Sequence, residues 1–324
     1  MPRIGSVIRD VYRRPGEEDL PGHLERQYGI EVTGVTKLAA GVLRVDRRDG
    51  LPWVARMHLI ARPAERARRD AQVLRFVERQ GCAAERCVVS DPVSELGGRA
   101  VLVTEFVAGR PWPASPAADC ELGDYVGRLH ALRTDGPEPE DAAARRRAGS
   151  LHHLPDYEGG PEQDLAAAAA MLTDVEDRVP AEHAATHAAL RALLPRGDDC
   201  RGLPETFVHP DAARVNVLTA GGGPVLVDWT GAGTGPRLAS LAVLLHSAGP
   251  GGAAEVLRGY GRHQQLTAEE LDRLEGVLWI RPLWLAAWRC WLACVSGRVN
   301  RAQVPDAADI SALAAAARSA VRPG

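Results

Sequence analysis

From residue 30 the chain alternates apolar and polar positions over short runs. Val32 to Leu38, Val42 to Val45 and Trp53 to Leu59 are separated by Ala39-Ala40-Gly41 and by Arg48-Asp49-Gly50. That period predicts half-buried strands, and an Asp-Gly step between two of them is a hairpin signal. Ala64 to Arg79 changes period: Ala67, Ala71, Leu74 and Val77 recur at helical spacing, and Gly81 follows as a stop. Val88-Val89 and Ala100 to Phe106 return to strand texture, with Gly97-Gly98 as their turn. Residues 1–29 hold two short amphipathic pieces, the first carrying Ile4, Val7, Ile8 and Val11, divided by Pro15-Gly16 and Pro21-Gly22.

Beyond residue 108 helical spacing dominates. Cys120 to Leu132 is expected to be a helix, and its His130 reads as a packing residue without a role. Residues 133–163 are rich in Pro, Gly and charge and are expected to form a long loop or insert. Its Arg145-Arg146-Arg147 run reads as a solvated face. Ala166 to Leu194 is alanine-rich and helical, broken near Pro180. Two apolar runs, Val215 to Leu218 and Val225 to Val227, flank Gly221-Gly222-Gly223-Pro224, the pattern of a small buried hairpin. A late helix is expected to begin at Pro282 and to put Trp284, Trp288 and Trp291 on one face. Such a face packs into a core or forms an aromatic wall beside a substrate, and core packing is the commoner outcome.

The chemistry gathers at that hairpin. His209, Asp211 and Asn216 stand just before it and Asp228-Trp229 just after, so the fold brings one carboxylate and an amide close to a second carboxylate. One carboxylate can accept a proton from an alcohol; the other, with the amide oxygen, offers hard oxygen ligands suited to Mg²⁺. The pattern His-x-Asp-x-x-x-x-Asn, hairpin, Asp-Trp resembles the catalytic segment of the aminoglycoside phosphotransferase and choline kinase-like family of small-molecule kinases.

That resemblance implies an α+β, two-lobed protein-kinase-like fold. A small antiparallel sheet lobe (residues 1–107) would cover the nucleotide, and a larger helical lobe (residues 108–324) would carry the catalytic loop, metal site and substrate site. By position, Asp211 matches the catalytic base, His209 the residue that supports the loop, and Asn216 and Asp228 the Mg²⁺ ligands. Trp53-Val54-Ala55-Arg56-Met57 resembles the strand that carries the phosphate-binding cation, with Arg56 in the lysine position. A guanidinium can grip two phosphate oxygens at once. Lys37, the only lysine of the chain, is the alternative. Asp70 aligns with the helix carboxylate that pairs with that cation, Glu65 being the other acid expected to face the third strand; a surface charge pattern explains both equally well. Gly41 falls where the phosphate-covering loop lies, although a plain β-turn accounts for one glycine as readily. Glu105, Phe106 and Val107 match the hinge whose backbone would bond the adenine. Asp156, Glu158, Glu162 and Asp164 could hold a cationic substrate, though a solvated acidic loop is the simpler reading. Ser240 replaces an acid that anchors the next helix in relatives, and Thr230 stands where many of them carry an acid.

Composition narrows the classes without naming one. The chain has 324 residues, 45% hydrophobic and 25% charged, with a formal net charge of -3. This is a globular composition with no electrostatic case for nucleic acid as a partner. The six scattered cysteines show no zinc or disulfide spacing. No signal peptide or apolar span is visible, so a cytoplasmic protein is expected. The function expected from the resemblance is ATP- or GTP-dependent, Mg²⁺-dependent phosphorylation of a hydroxyl on a small molecule, with antibiotics among the acceptors. The alternative is a weakly active or inactive kinase-like nucleotide-binding protein, suggested by Ser240 and Thr230.

Overall fold

A computed structural model describes residues 16–60, 62–149, 160–296 and 303–321. Ile4 to Val11, Asp156 and Glu158 lie outside the described residues. After a first helix α1 (Leu20–Tyr28), strands β1 (Val32–Ala39), β2 (Val42–Arg47), β3 (Trp53–Met57), β4 (Val93–Leu96) and β5 (Arg99–Glu105) form one antiparallel sheet. Their order is β1-β2-β3-β5-β4, with helix α2 (Ala64–Arg79) inserted between β3 and β4.

The sheet is buried on both faces at its centre. Val101 and Val103 of β5 join Trp53, Ala55 and Met57 in a core closed by Leu20 and Leu24 of α1. Ala100 and Leu102, one residue out of phase, pack instead with Val73, Leu74, Phe76 and Val77 of α2. Side chains alternate across a strand, so Arg56 shares the second face and points away from α1. This alternation, set by two or three apolar residues per strand, aims the cation.

Val88-Val89 is not a strand. The apolar strand that pairs with β5 is Val93–Leu96, beginning after Pro92, whose carbonyl accepts the Val103 N–H at 2.9 Å. Pro92 supplies no donor and Ser90-Asp91 bends the chain, so the earlier valines cannot join the ladder. Gly97 and Gly98, both with positive φ, make the turn that leads into β5.

The helical part comprises α3 (Pro116–His130), α4 (Pro139–Ala144), α5 (Pro161–Asp174), α6 (Ala181–Leu193), α7 (Arg237–Tyr260, broken at Gly249), α8 (Ala268–Ser296) and α9 (Ala307–Val321). α3 lies so close to α7 that a Cβ on Gly123 would come within 2.0 Å of the Val256 carbonyl. The long loop expected over 133–163 contains α4, six residues held by a capping box between Glu138 and Asp141 and by Arg79 on Asp141 at 2.6 Å. Six residues are too few to show a helical period. α5 then begins at Pro161, inside the expected loop.

The tryptophan helix starts at Ala268, not at Pro282, which sits in its interior. Proline there leaves the Leu278 carbonyl without its helical donor, and His246 Nε2 of α7 bonds that carbonyl at 2.6 Å. Trp284, Trp288 and Trp291 stack in sequence and pack with Ala168, Met171 and Leu172 of α5, so this face is core. No helix among the described residues is long and apolar enough to cross a membrane.

Candidate active site

Strands β7 (Glu205–Val208) and β10 (Gly233–Pro236) pair antiparallel and bracket the catalytic segment; β6 (Arg110–Pro111), β8 (Val217–Ala220) and β9 (Gly223–Leu226) form a small sheet beside it. Gly221 and Gly222, at φ 60° and 88°, take the mirror-image turn that a two-residue hairpin favours. The buried hairpin begins at Val217, later than its sequence suggests. Val215 belongs to a short 3₁₀ turn and is 83% exposed. Below, Phe76 of α2 meets Phe207 of β7 edge-on at 4.9 Å, which ties the sheet lobe's helix to the floor of the loop.

His209 is fully buried, its ring edge-on to Trp229 at 4.9 Å. Burial pulls its pKa below the ordinary value, against the opposing pull of Asp211 and Asp228, so the ring is neutral. Its Nδ1 accepts the Asp211 N–H at 3.1 Å, which leaves the proton on Nε2, facing the Asp228 backbone without closing a full hydrogen bond. The ring thus holds the base's own backbone and packs edge-on against Trp229 of the second carboxylate segment.

Asn216 Nδ2 donates to the Asp211 carbonyl at 2.9 Å and to Asp211 Oδ2 at 3.1 Å. Both of these use the amide nitrogen, so the amide oxygen stays available as an acceptor. The other Asp211 oxygen, Oδ1, receives Arg281 Nη2 of α8 at 2.9 Å. Asp228 sits at φ 64°, a left-handed backbone unusual for a residue with a side chain. Its side chain is 48% exposed, with Oδ1 accepting the Thr230 hydroxyl at 2.9 Å. The Val227 N–H on the Asn216 carbonyl at 2.9 Å joins the two segments. An exposed carboxylate and an amide oxygen on joined segments suit Mg²⁺, which keeps several waters and needs few protein ligands. Among the described residues no three His, Cys, Asp or Glu groups form a closed metal cage.

Arg56 is 11% exposed and bonds Glu85 at 3.2 Å, with Asp228 Oδ1 3.5 Å away. Burial works against its charge, but Glu85 and then Asp228 outweigh it, and the net direction is a raised pKa. Glu85 thus holds the place beside Arg56 in which Asp70 is the expected carboxylate. It is buried and also accepts the Thr104 hydroxyl and the Asp228 N–H, each at 2.9 Å. Asp70 is turned elsewhere: Arg62 bonds it at 2.6 Å and the Gly231 N–H at 3.3 Å. Burial pushes its carboxyl pKa up, with Arg62 opposing. A buried carboxylate needs a cation, and Arg62 supplies it here, with Arg56 acting on Asp70 only as a weaker, more distant charge. Glu65 lies on the exposed side of α2.

Lys37 pairs with Glu17 at 2.7 Å on the surface, away from this group. Gly41, at φ 69°, closes a tight two-residue turn between β1 and β2, and its carbonyl accepts the Met57 N–H at 2.7 Å. At the hinge, the Glu105 N–H goes to Arg86 and the Phe106 N–H to Pro52. Among the described residues the Val107 N–H has no backbone acceptor. Glu162 lies near Arg147 and Arg201, at 3.7 and 3.9 Å, and Asp164 lines a cavity below the catalytic loop.

Ser240 replaces charge with geometry. Its hydroxyl donates to the His209 carbonyl at 2.8 Å, so it can only accept from His130 Nε2, 3.3 Å away. His130 Nδ1 must then accept from the Tyr260 hydroxyl at 3.0 Å. Burial, with Arg237 adding to it, takes the His130 pKa down to about 3, which suits this neutral tautomer. His130, given no role from sequence, therefore belongs to the support of the loop. Ser240→Ala is expected to destabilise the fold by about 1–3 kcal/mol, because it leaves a buried carbonyl and a ring N–H unpaired. Urea unfolding followed by circular dichroism measures this; Ser240→Thr, which keeps the hydroxyl, should lose less.

The fold recurs among solved kinases. Amicoumacin kinase, solved with AMP-PNP and Ca²⁺, superposes with a TM-score of 0.64 at 17% identity, covering 97% of this chain and 95% of that one. A macrolide 2'-phosphotransferase from Brachybacterium faecium gives 0.57 at 19% identity, over 95% and 99%. A choline kinase from Streptococcus pneumoniae gives 0.58 at 11% identity, over 94% and 98%. A 126-residue stretch is 31% identical to mannose-1-phosphate guanylyltransferase of Sinorhizobium fredii (strain NBRC 101917 / NGR234), spanning 38% of this chain and 23% of that protein. The sequence profile of the phosphotransferase enzyme family matches residues 36–277, well over half the chain. The two-lobed fold expected from the motifs is the observed one, and the chain belongs to the phosphotransferase enzyme family.

Proposed function

We propose that this protein transfers the terminal phosphoryl group of ATP to a hydroxyl of a small molecule, with hydroxylated antibiotics the first acceptors to test. The observation that carries this reading is the linked pair of carboxylates. Asp211 is oriented by Asn216 and Arg281, and Asp228 is tied through Glu85 to Arg56. Such an arrangement serves one proton acceptor and one phosphate-binding centre, side by side. In this reading residues 1–107 cover the nucleotide and 108–324 hold the acceptor, with Glu105 to Val107 meeting the base of the nucleotide; GTP is the other nucleotide the site could take.

Asp211 orients the acceptor hydroxyl and takes its proton as the new oxygen–phosphorus bond forms. The bond to the β-phosphate oxygen breaks and ADP leaves. Arg56 steadies the phosphates before transfer. His209 and Ser240 keep the loop in register throughout. Asn216 and Asp228 would hold Mg²⁺, which when bound neutralises charge on the phosphates.

A weakly active protein is the second reading, and its support lay in Ser240 and Thr230. Both make hydrogen bonds to the catalytic segment, Ser240 to His209 and Thr230 to Asp228, which favours a working site. The test is incubation with Mg·ATP and a panel of hydroxylated antibiotics and metabolites, read by mass spectrometry for an added phosphoryl group. Transfer to at least one acceptor, lost in Asp211→Ala, is expected. No transfer to any acceptor, together with no nucleotide binding, would overturn the reading.

A further inference from the structure

Helices α7 and α8 grip the catalytic loop from below. Ser240 fixes the His209 carbonyl, and Ser247, two turns along α7, accepts the Arg214 N–H at 3.2 Å. These contacts hold backbone. The contact from α8 is different in kind, because Arg281 Nη2 bonds the carboxylate of Asp211 itself, at 2.9 Å on Oδ1. With Asn216 on Oδ2, both oxygens of the base are held from opposite partners.

The place of Arg281 is itself built by the sequence. Pro282 frees the Leu278 carbonyl, and His246 Nε2 secures that carbonyl to α7, so the turn bearing Arg281 is fastened to the helix that also anchors the loop. The guanidinium lies 5.6 Å from the Trp284 ring centre, and the side chain is 27% exposed. Arg281 also lines the cavity that runs below the loop beside Pro210, Val243 and Val277. A hydroxyl that donates to Asp211 must sit about 3 Å from the carboxylate. A guanidinium nitrogen bonded to the same carboxylate is then within about 6 Å of the attacking oxygen.

We propose that Arg281 is a positioning residue for the base, locking the Asp211 carboxylate in the orientation that receives the acceptor hydroxyl. The inference rests on the phosphotransfer reading. Neither Arg281 nor its link through Pro282 and His246 follows from the motif, because the contact spans 70 residues. Asn216 alone would leave the carboxylate free to turn about its Cβ–Cγ bond. The Arg281 bond removes that freedom, and lost orientation is a large part of what separates a reactive from an unreactive pair.

The test uses the full chain and the Arg281→Gln and Arg281→Lys variants, with water as the acceptor so that no substrate need be known. Mg·ATP hydrolysis at saturating nucleotide should fall about tenfold or more in Arg281→Gln and recover in part in Arg281→Lys. The affinity for Mg·AMP-PNP, by calorimetry, should stay within about twofold. Hydrogen exchange by mass spectrometry should quicken across residues 211–217 in Arg281→Gln and stay unchanged across 205–208. A rate equal to wild type, or a loss shared equally with nucleotide affinity, overturns the proposal, as does unchanged exchange at 211–217. If the wild-type chain neither hydrolyses ATP nor phosphorylates any acceptor, the phosphotransfer reading fails separately, and exchange alone decides whether Arg281 positions the loop.

Discussion

Asp211→Asn is expected to abolish transfer while Mg·ATP binding stays near the wild-type level. In the proposed reading this carboxylate meets the acceptor, and Arg281 and Asn216 hold it. Arg56 and Asp228, the groups assigned to phosphates and metal, are bonded through Glu85, which among the described residues makes no bond to the Asp211 carboxylate. Removing a positioned proton acceptor costs about 10²–10⁴ in rate. An asparagine at this place can satisfy Asn216 or Arg281 through its single oxygen but must point its NH₂ at the other, so part of the loss will come from a disturbed loop. Turnover with an acceptor, set beside calorimetry with Mg·AMP-PNP, separates the two effects. A parallel loss of nucleotide affinity would place Asp211 in the nucleotide site and count against the assignment.

What the sequence reveals of this site depends on how far each contact reaches along the chain. The His209-to-Asp228 segment is readable because its chemistry is local: the bonds from His209 to the Asp211 N–H and from Asn216 to Asp211 span two and five residues. A motif of fixed spacing can encode such contacts. The hairpin and four of the five strands are readable for the same reason, since each strand's period and each Gly turn is short-range; the exception is β4, which lies at Val93–Leu96 and not at Val88-Val89. Glu85 is not readable: its partners Arg56, Thr104 and Asp228 lie 29, 19 and 143 residues away. No spacing rule links them, and Asp70, on the expected helix at the expected place, is the natural but mistaken choice. The buried Arg62 decides that outcome by capturing Asp70. Ser240 shows the converse. Its replacement of an acid looks like a defect in the sequence, yet the hydroxyl, backed by His130 and Tyr260, makes the bond to the loop.

Arg56→Ala should weaken ATP binding at least about tenfold and cut turnover, while Lys37→Ala is close to neutral. The reason is position. Arg56 is mid-strand, 11% exposed, on the sheet face turned toward Glu85 and Asp228. Lys37 is 57% exposed and pairs with Glu17, a surface contact worth about 0–1 kcal/mol. Arg56→Ala also leaves Glu85 buried without its cation, and breaking such a pair costs about 3–5 kcal/mol of stability. Thermal melting must therefore accompany the binding measurement, and Glu85→Gln supplies the control. That change keeps an oxygen for the Asp228 N–H but removes the charge that holds Arg56, so the stability loss should be smaller while nucleotide affinity still falls. Arg56→Lys restores the charge without the two-pronged grip and should recover only part of the affinity. Asp70→Asn, whose partner is Arg62, should alter stability and leave Mg·AMP-PNP affinity within about twofold. If Lys37→Ala abolished nucleotide binding and Arg56→Ala spared it, the phosphate site would move to β1, and the coupling of Arg56 through Glu85 to Asp228 would be a purely structural bond.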